Sequence, residues 1–261
     1  MINAVFAGCG RISDLHALGY KNSDKACIYG LFDPDPVKAE EKAGLWGAKK
    51  IYNSYEEALG DPAVNLVEIL TPHHLHCSMA VEAARAGKQI SLQKPIALNL
   101  EEADQIITAA EKNRVTLRIY ENFVYYPPYV KARELIEAGH IGEPLSLNLR
   151  VRIGYSSGAW DKPVEAWQWR FNPQTCGGCP IMFDHNYHNF SLAIFMLGAV
   201  EKVAAWTGRS EVMPGSGLMV DVPAAVMWKY YGQNTYGMLD AVMAVGRKFY
   251  SCHQRHDQCL N

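Results

Sequence analysis

The chain has 261 residues, 49% hydrophobic and 20% charged, with a formal net charge of −2 and a pI of about 6.5. That length suits one large domain or two ordinary ones, and the near-neutral balance gives no electrostatic basis for binding nucleic acid or an anionic membrane surface. No apolar run reaches the length of a bilayer span; the seven cysteines are scattered and odd in number, and a strand pattern starts at Ile2 with no basic segment before it, so neither a disulfide framework nor a secretory signal is expected and the setting reads as cytoplasmic.

In the first part, short apolar strands alternate with helical segments. NAVFAGCG reads as a strand ending in a glycine turn, ISDLHALGY as a helix, ACIYGLFDPDP as a strand stopped by Pro34 and Pro36, and VKAEEKAGLWG as a helix. Ser54 and Glu57 make a capping box for the next helix. NLVEIL is a strand, LHCSMAVEAARAG a helix closed by Gly87, and KQISLQKP a strand. Asn99 then caps a helix through Ala110, with Glu102 at the reciprocating position, and VTLRIY is a further strand. This alternation predicts an α/β domain over residues 1–120, a doubly wound parallel sheet with helices on both faces.

The pattern changes near residue 120. Pro127 and Pro128 open the helix YVKARELIEAG. The strands LSLNLRVRIGY, EKVAAWTGR, AAVMWKYY and TYGMLDAVMA follow, interrupted by one helix at roughly 181–197. Residues 121–261 are therefore expected to form an α+β domain on a mostly antiparallel open sheet.

GCGRIS places Gly8 and Gly10 between the first strand and its helix. Gly8 permits the tight turn, Gly10 lets the backbone approach a pyrophosphate, and Ser13 is small enough for close helix packing. Asp33 ends the second strand, where a carboxylate accepts both ribose hydroxyls of NAD and repels the 2′-phosphate of NADP. In this context the turn reads as a dinucleotide site of Rossmann type rather than an ordinary strand–turn–helix. TPHHLH follows a strand of the same sheet, so Thr71, Pro72 and His76 belong to the cofactor edge. Its three histidines lack cysteine or carboxylate partners nearby, and no metal is assigned to them. Lys94, pinned by Pro95 at another strand end, shares that edge.

In WRFNPQTCGGCPIMFDHNYHN, Asp184 and His188 are four residues apart, on one face of the expected helix. A carboxylate beside an imidazole fixes its tautomer and raises its basicity, which suits a general base; a polar pair satisfied in the core has the same spacing. Trp169 and Arg170 lead into this helix, and Tyr125, Tyr126 and Trp160 offer aromatic walls for a sugar ring or interdomain packing.

GCGRIS, TPHHLH, QKP, YPPYVKARELIEAGHIGEP and GGCPIMFDHNYH occur in the order and spacing of the Gfo/Idh/MocA oxidoreductases, which the chain resembles from residue 2 to about 245. The resemblance implies catalytic roles for Lys94, Asp184 and His188, and often a cis bond before the proline after the lysine. The implied activity is hydride transfer between NAD, with NADP disfavoured, and a secondary alcohol of a sugar or cyclitol. Its cofactor residues would be Gly8, Gly10, Arg11, Ile12, Asp33, Thr71, Pro72, His76, Gln93, Lys94 and Arg170. The alternatives are an NAD-dependent glycoside hydrolase acting by transient oxidation and a non-catalytic sugar or nucleotide sensor of the same fold.

Three departures from the family pattern stand out. Gln93 occupies the usual place of glutamate, and loss of a carboxylate there makes the lysine easier to deprotonate. Asn186 stands where glycine is usual, between His185 and Tyr187, which either shape the pocket or lie on the helix surface. The C-terminus is short for the family: VGRKFYSCHQRHDQCLN fits no family segment, as a frameshifted, truncated or divergent end would not. A shortened sheet argues against the homo-oligomers that relatives build through it. Cys252, His253, His256 and Cys259 are potential zinc ligands, but not at finger spacing, and no metal is assigned; Cys176 and Cys179 form C-x-x-C around a glycine turn.

Overall fold

The computed structural model describes residues 1–154, 164–212 and 215–244. These fall into two compact units, residues 1–121 with 172–178, and residues 122–171 with those from 179 onward.

In the first unit the elements run β1 (Ile2–Ala7), α1 (Arg11–Tyr20), β2 (Ala26–Phe32), α2 (Pro36–Trp46), β3 (Lys50–Ile51), α3 (Tyr55–Gly60), β4 (Leu66–Ile69), α4 (His76–Arg85), β5 (Gln89–Leu92), α5 (Leu100–Asn113) and β6 (Leu117–Ile119). All neighbouring strands are parallel, in the order β3-β2-β1-β4-β5-β6. Side chains of a strand alternate between faces. Thus Val5 and Ala7 join Val67, Ile69, Ile90 and Leu92 in one core, while Phe6 joins Ile28, Leu31, Ala17 and Ala39 in the other, under α1 and α2. Burial of each large aliphatic or phenyl side chain contributes roughly 1.5–3 kcal/mol. The expected caps are present: Ser54 Oγ accepts from Glu57 N–H at 3.1 Å, and Asn99 Oδ1 from Glu102 N–H at 2.8 Å.

The second unit contains α6 (Pro127–Glu137), β7 (Ser146–Gly154), α8 (Tyr187–Leu197), β8 (Val200–Thr207), β9 (Ser210–Glu211), β10 (Met219–Val220), β11 (Ala224–Tyr230) and β12 (Tyr236–Ala244). The short α7 (Pro173–Cys176) precedes α8 in sequence and belongs to the first unit. The four-stranded sheet runs β7-β12-β11-β8, antiparallel except for the parallel β7–β12 pair. The order of layers agrees with the sequence expectation, and the two-residue β9–β10 pair is an addition to it.

Trp228 of β11 is buried and lies opposite Gly237 of β12. A Cβ built at Gly237 falls 2.0 Å from the indole, so the glycine makes room for the ring. Gly237→Val is expected to cost about 1–3 kcal/mol through overpacking. A thermal melt reads this directly, and an unchanged midpoint would contradict the packing.

Candidate active site

The strand order reverses direction at β1, whose neighbours are β2 and β4. In an open parallel sheet, ligands collect there, outside the carboxyl ends of the strands. Gly8 leaves β1 at φ 107°, and a Cβ on it would meet the Leu70 carbonyl oxygen at 2.7 Å. Both facts demand glycine. Gly10 is the N-cap of α1 and has open space where a Cβ would lie. Arg11 is exposed, Ile12 half-buried, and Ser13 fully buried with its hydroxyl bonded to the Gly10 carbonyl, as close packing of α1 requires.

Asp33 follows β2. Its Oδ2 accepts the Cys9 N–H at 2.7 Å and its Oδ1 the Asp35 N–H at 2.9 Å. Burial and the Asp33 charge push the Cys9 thiol up to about 12, so it stays protonated and unreactive. Thr71, after β4, has a buried hydroxyl with no hydrogen-bond partner among the described residues. Buried polar groups are nearly always satisfied, and an orphan hydroxyl on this rim fits a site for a polar ligand. Glycine turn, open helix N-terminus, spare acceptor sites on Asp33 and the Thr71 hydroxyl together fit a dinucleotide.

Lys94 lies just beyond β5, on the same rim. Gln93 N–H continues the sheet to the Ile69 carbonyl at 3.0 Å, and the Lys94–Pro95 peptide bond is cis, as the resemblance implied. Lys94 N–H donates to Gln93 Oε1 at 2.8 Å. His76 is fully buried; Nδ1 lies 2.9 Å from the Pro95 carbonyl oxygen and Nε2 3.0 Å from that of Thr71. Its ring lies between the two rim segments around Thr71 and Lys94, facing a backbone carbonyl of each. His73 is buried with Nδ1 2.9 Å from the Cys176 carbonyl oxygen, and His74 is exposed. Among the described residues no cluster of three or more His, Cys, Asp or Glu side chains could hold a metal ion.

Sequence reasoning missed two groups beneath this rim. Glu68 of β4 is fully buried, with Oε1 2.5 Å from His16 Nδ1 on α1. His16 Nε2 in turn lies 3.0 Å from Gln93 Nε2. One signal was present: a carboxylate inside the apolar run NLVEIL, where burial is tolerated only with partners.

In the second unit the expected single helix is two segments. Residues Pro180–His185 form a π-helical turn, and α8 begins at Tyr187. Asp184 N–H reaches back to Cys179 O at 3.2 Å and Asn186 N–H to Ile181 O at 2.7 Å, each five residues away. Asp221 caps the start of this turn by accepting the N–H groups of Ile181 at 2.9 Å and Met182 at 2.7 Å. Buried Asn186 adds a side-chain bond to Ile181 O at 3.2 Å. Asp184 and His188 therefore lie on different segments, not on one face of a continuous α-helix. π-turns of this kind are frequent at functional sites.

Asp184 is buried, and Arg170 Nε donates to its Oδ2 at 2.5 Å while the guanidinium lies over the Trp169 ring. His188 stacks on Phe123, with ring centroids 4.7 Å apart, and has Tyr187 at its edge. Phe123, Tyr125, Tyr126 and Tyr129 line an open hollow of about 450 Å³ with Asn122 and Pro127. Tyr125 and Tyr126 are exposed there, His185 is exposed on its turn, and Trp160 and Cys252–Cys259 lie outside the described residues. Arg170→Ala strips Asp184 of a charge partner. Because the arginine is partly exposed, the expected loss is about 1–3 kcal/mol, less than for a fully buried pair. The denaturant midpoint checks it; no shift would show the pair to be energetically silent.

Residues 2–121 match the oxidoreductase family with an NAD-binding Rossmann fold, and residues 129–254 match the C-terminal domain of the same GFO/IDH/MocA family. The chain belongs to the Gfo/Idh/MocA oxidoreductases. It is 28% identical over 234 residues to myo-inositol 2-dehydrogenase of Thermotoga maritima, covering 89% of this chain and 66% of that one. With scyllo-inositol 2-dehydrogenase (NAD(+)) of Bacillus subtilis it shares 27% identity, over 92% of this chain and 67% of the relative. A solved oxidoreductase from Thermotoga maritima superposes with a TM-score of 0.81 at 25% identity, over 95% of this chain and 74% of that structure. The chain spans about two thirds of the length of these two curated relatives. Family, layered fold and NAD-binding first unit agree with the expectations from sequence.

Proposed function

We propose that the chain is an NAD-dependent dehydrogenase acting on a secondary alcohol of a sugar or cyclitol, with Lys94, Asp184 and His188 as its catalytic residues. The observation that carries this reading is the position of Lys94 on the rim that also bears the Gly8 turn, Asp33 and the buried Thr71 hydroxyl. The inositol dehydrogenases among the relatives support the substrate class.

NAD, when bound, supplies the hydride acceptor. Gly8, Gly10, Arg11 and Ile12 would hold its pyrophosphate at the start of α1, and Asp33 its ribose hydroxyls, in preference to a 2′-phosphate. Thr71, Pro72 and Gln93 line the rim, and Arg170 and His76 act one step back, by holding Asp184 and by packing against the Lys94 turn. His188 takes the hydroxyl proton, its ring plane set by Phe123. Asp184 favours the charged imidazole as the proton arrives. Lys94 hydrogen-bonds the substrate oxygen and stabilises the negative charge that develops on it. Tyr125 and Tyr126 offer aromatic faces to the sugar ring. No described helix is long and apolar enough to cross a membrane; the scattered, odd-numbered cysteines of the sequence fit a reducing, cytoplasmic setting. Calorimetric titration with NAD tests the cofactor half: saturable binding is expected, tighter than for NADP, and absence of binding would overturn it.

A further inference from the structure

The Lys94 turn rests on a partly buried line of hydrogen bonds whose proton positions can be worked out. Lys94 N–H can only donate, so the oxygen of the Gln93 amide faces it, at 2.8 Å. The amide nitrogen, which only donates, is then the atom 3.0 Å from His16 Nε2. His16 Nε2 must accept. Its single proton is therefore on Nδ1, directed at Glu68 Oε1 at 2.5 Å. An imidazolium would set an N–H against the Gln93 NH₂, donor facing donor.

The far end of the line is equally constrained. Glu68 is fully buried and takes the Tyr20 hydroxyl on Oε2 at 2.7 Å, with the Tyr120 hydroxyl nearby. Burial beside Glu68 raises the Tyr20 hydroxyl far above its ordinary value and pushes Tyr120 up to about 12, so both remain donors at neutral pH. The edge of the Tyr120 ring packs on His16 at 4.2 Å between centroids. Across the sheet, Phe6, Glu68, Ser91 and Arg118 are in register, which makes Arg118 the nearby cation on this row. Glu68 accepts from all its partners, as an ionised carboxylate does.

We propose that His16 is a positioning residue, a neutral imidazole protonated on Nδ1 that transmits support from buried Glu68 to Gln93 and so fixes the Lys94 backbone, and that the amide at position 93 sets this charge state. A carboxylate at 93 would accept from Lys94 N–H and from a protonated His16 Nε2 at once. Glutamine in place of glutamate therefore does more than remove a charge near the lysine: it removes a proton from His16. The importance of this line for turnover rests on the reading of Lys94 as catalytic; the line itself does not.

Long-range proton–nitrogen NMR of the full chain, labelled in histidine side chains at neutral pH, reads the ring directly. Wild type is expected to show one pyrrole-like nitrogen, Nδ1, and one pyridine-like nitrogen, Nε2, for His16. Gln93→Glu, which leaves every group paired, is expected to show two pyrrole-like nitrogens. An imidazolium or an Nε2–H tautomer in wild type overturns the proposal, and so does a neutral ring in Gln93→Glu. In His16→Leu, exchange of the Lys94 amide proton should quicken roughly fivefold to tenfold, the worth of one net hydrogen bond. Unchanged exchange in a folded His16→Leu protein would remove the positioning role; should that variant not fold, wild type and Gln93→Glu still decide. A chain that shows this ring state and exchange but no dehydrogenase activity would overturn the catalytic reading of Lys94 alone.

Discussion

Lys94→Ala is expected to lower kcat by about 10²–10⁴-fold, the range for losing a positioned proton-transfer or oxyanion-stabilising group. NAD affinity should change little, because two contacts that hold this turn are made to its backbone rather than to the lysine side chain. Gln93 Oε1 accepts the backbone N–H of residue 94, and His76 faces the Pro95 carbonyl oxygen. Alanine keeps both. Steady-state kinetics with parallel NAD titrations separates the two effects. Wild-type turnover in the variant would end the assignment of Lys94; lost NAD binding would show that it anchors cofactor instead.

Asp33→Ala should have the next largest effect, on binding and cofactor choice. A carboxylate has about four acceptor positions, and two are taken by the N–H groups of Cys9 and Asp35. The rest are available to a ribose hydroxyl pair. Hydrogen bonds to a charged group contribute about 1.5–3 kcal/mol each, and every 1.4 kcal/mol is about tenfold, so loss of the pair should weaken NAD by roughly 10²–10⁴-fold. NADP should weaken less or tighten, since the repulsion of its 2′-phosphate disappears. Parallel weakening of both would show that Asp33 only orders the glycine turn.

What the sequence disclosed followed the range of each interaction. Strands β1, β2, β4 and β5 were legible as apolar runs because a parallel sheet is buried on both faces. The caps at Ser54 and Asn99 were legible because their partners stand three residues away. The capping of the π-turn before α8 was hidden because Asp221 stands some forty residues onward. His16 and Glu68 are 52 residues apart, and only the topology that lays α1 over β4 unites them. The sequence marked Gln93 as a lost charge near the lysine; the structure adds its neighbour, an imidazole backed by a deeper carboxylate. Lys94 and the glycine turn were readable from local chemistry, whereas what holds Lys94 in place was not.

The most direct test of the account is NADH formation by the purified chain with NAD and a panel of sugars and cyclitols, run beside Lys94→Ala. Steady NADH production is expected from at least one member of the panel, with its loss in the variant. NAD binding without NADH formation from any member, or glycoside hydrolysis without net NADH, would contradict it.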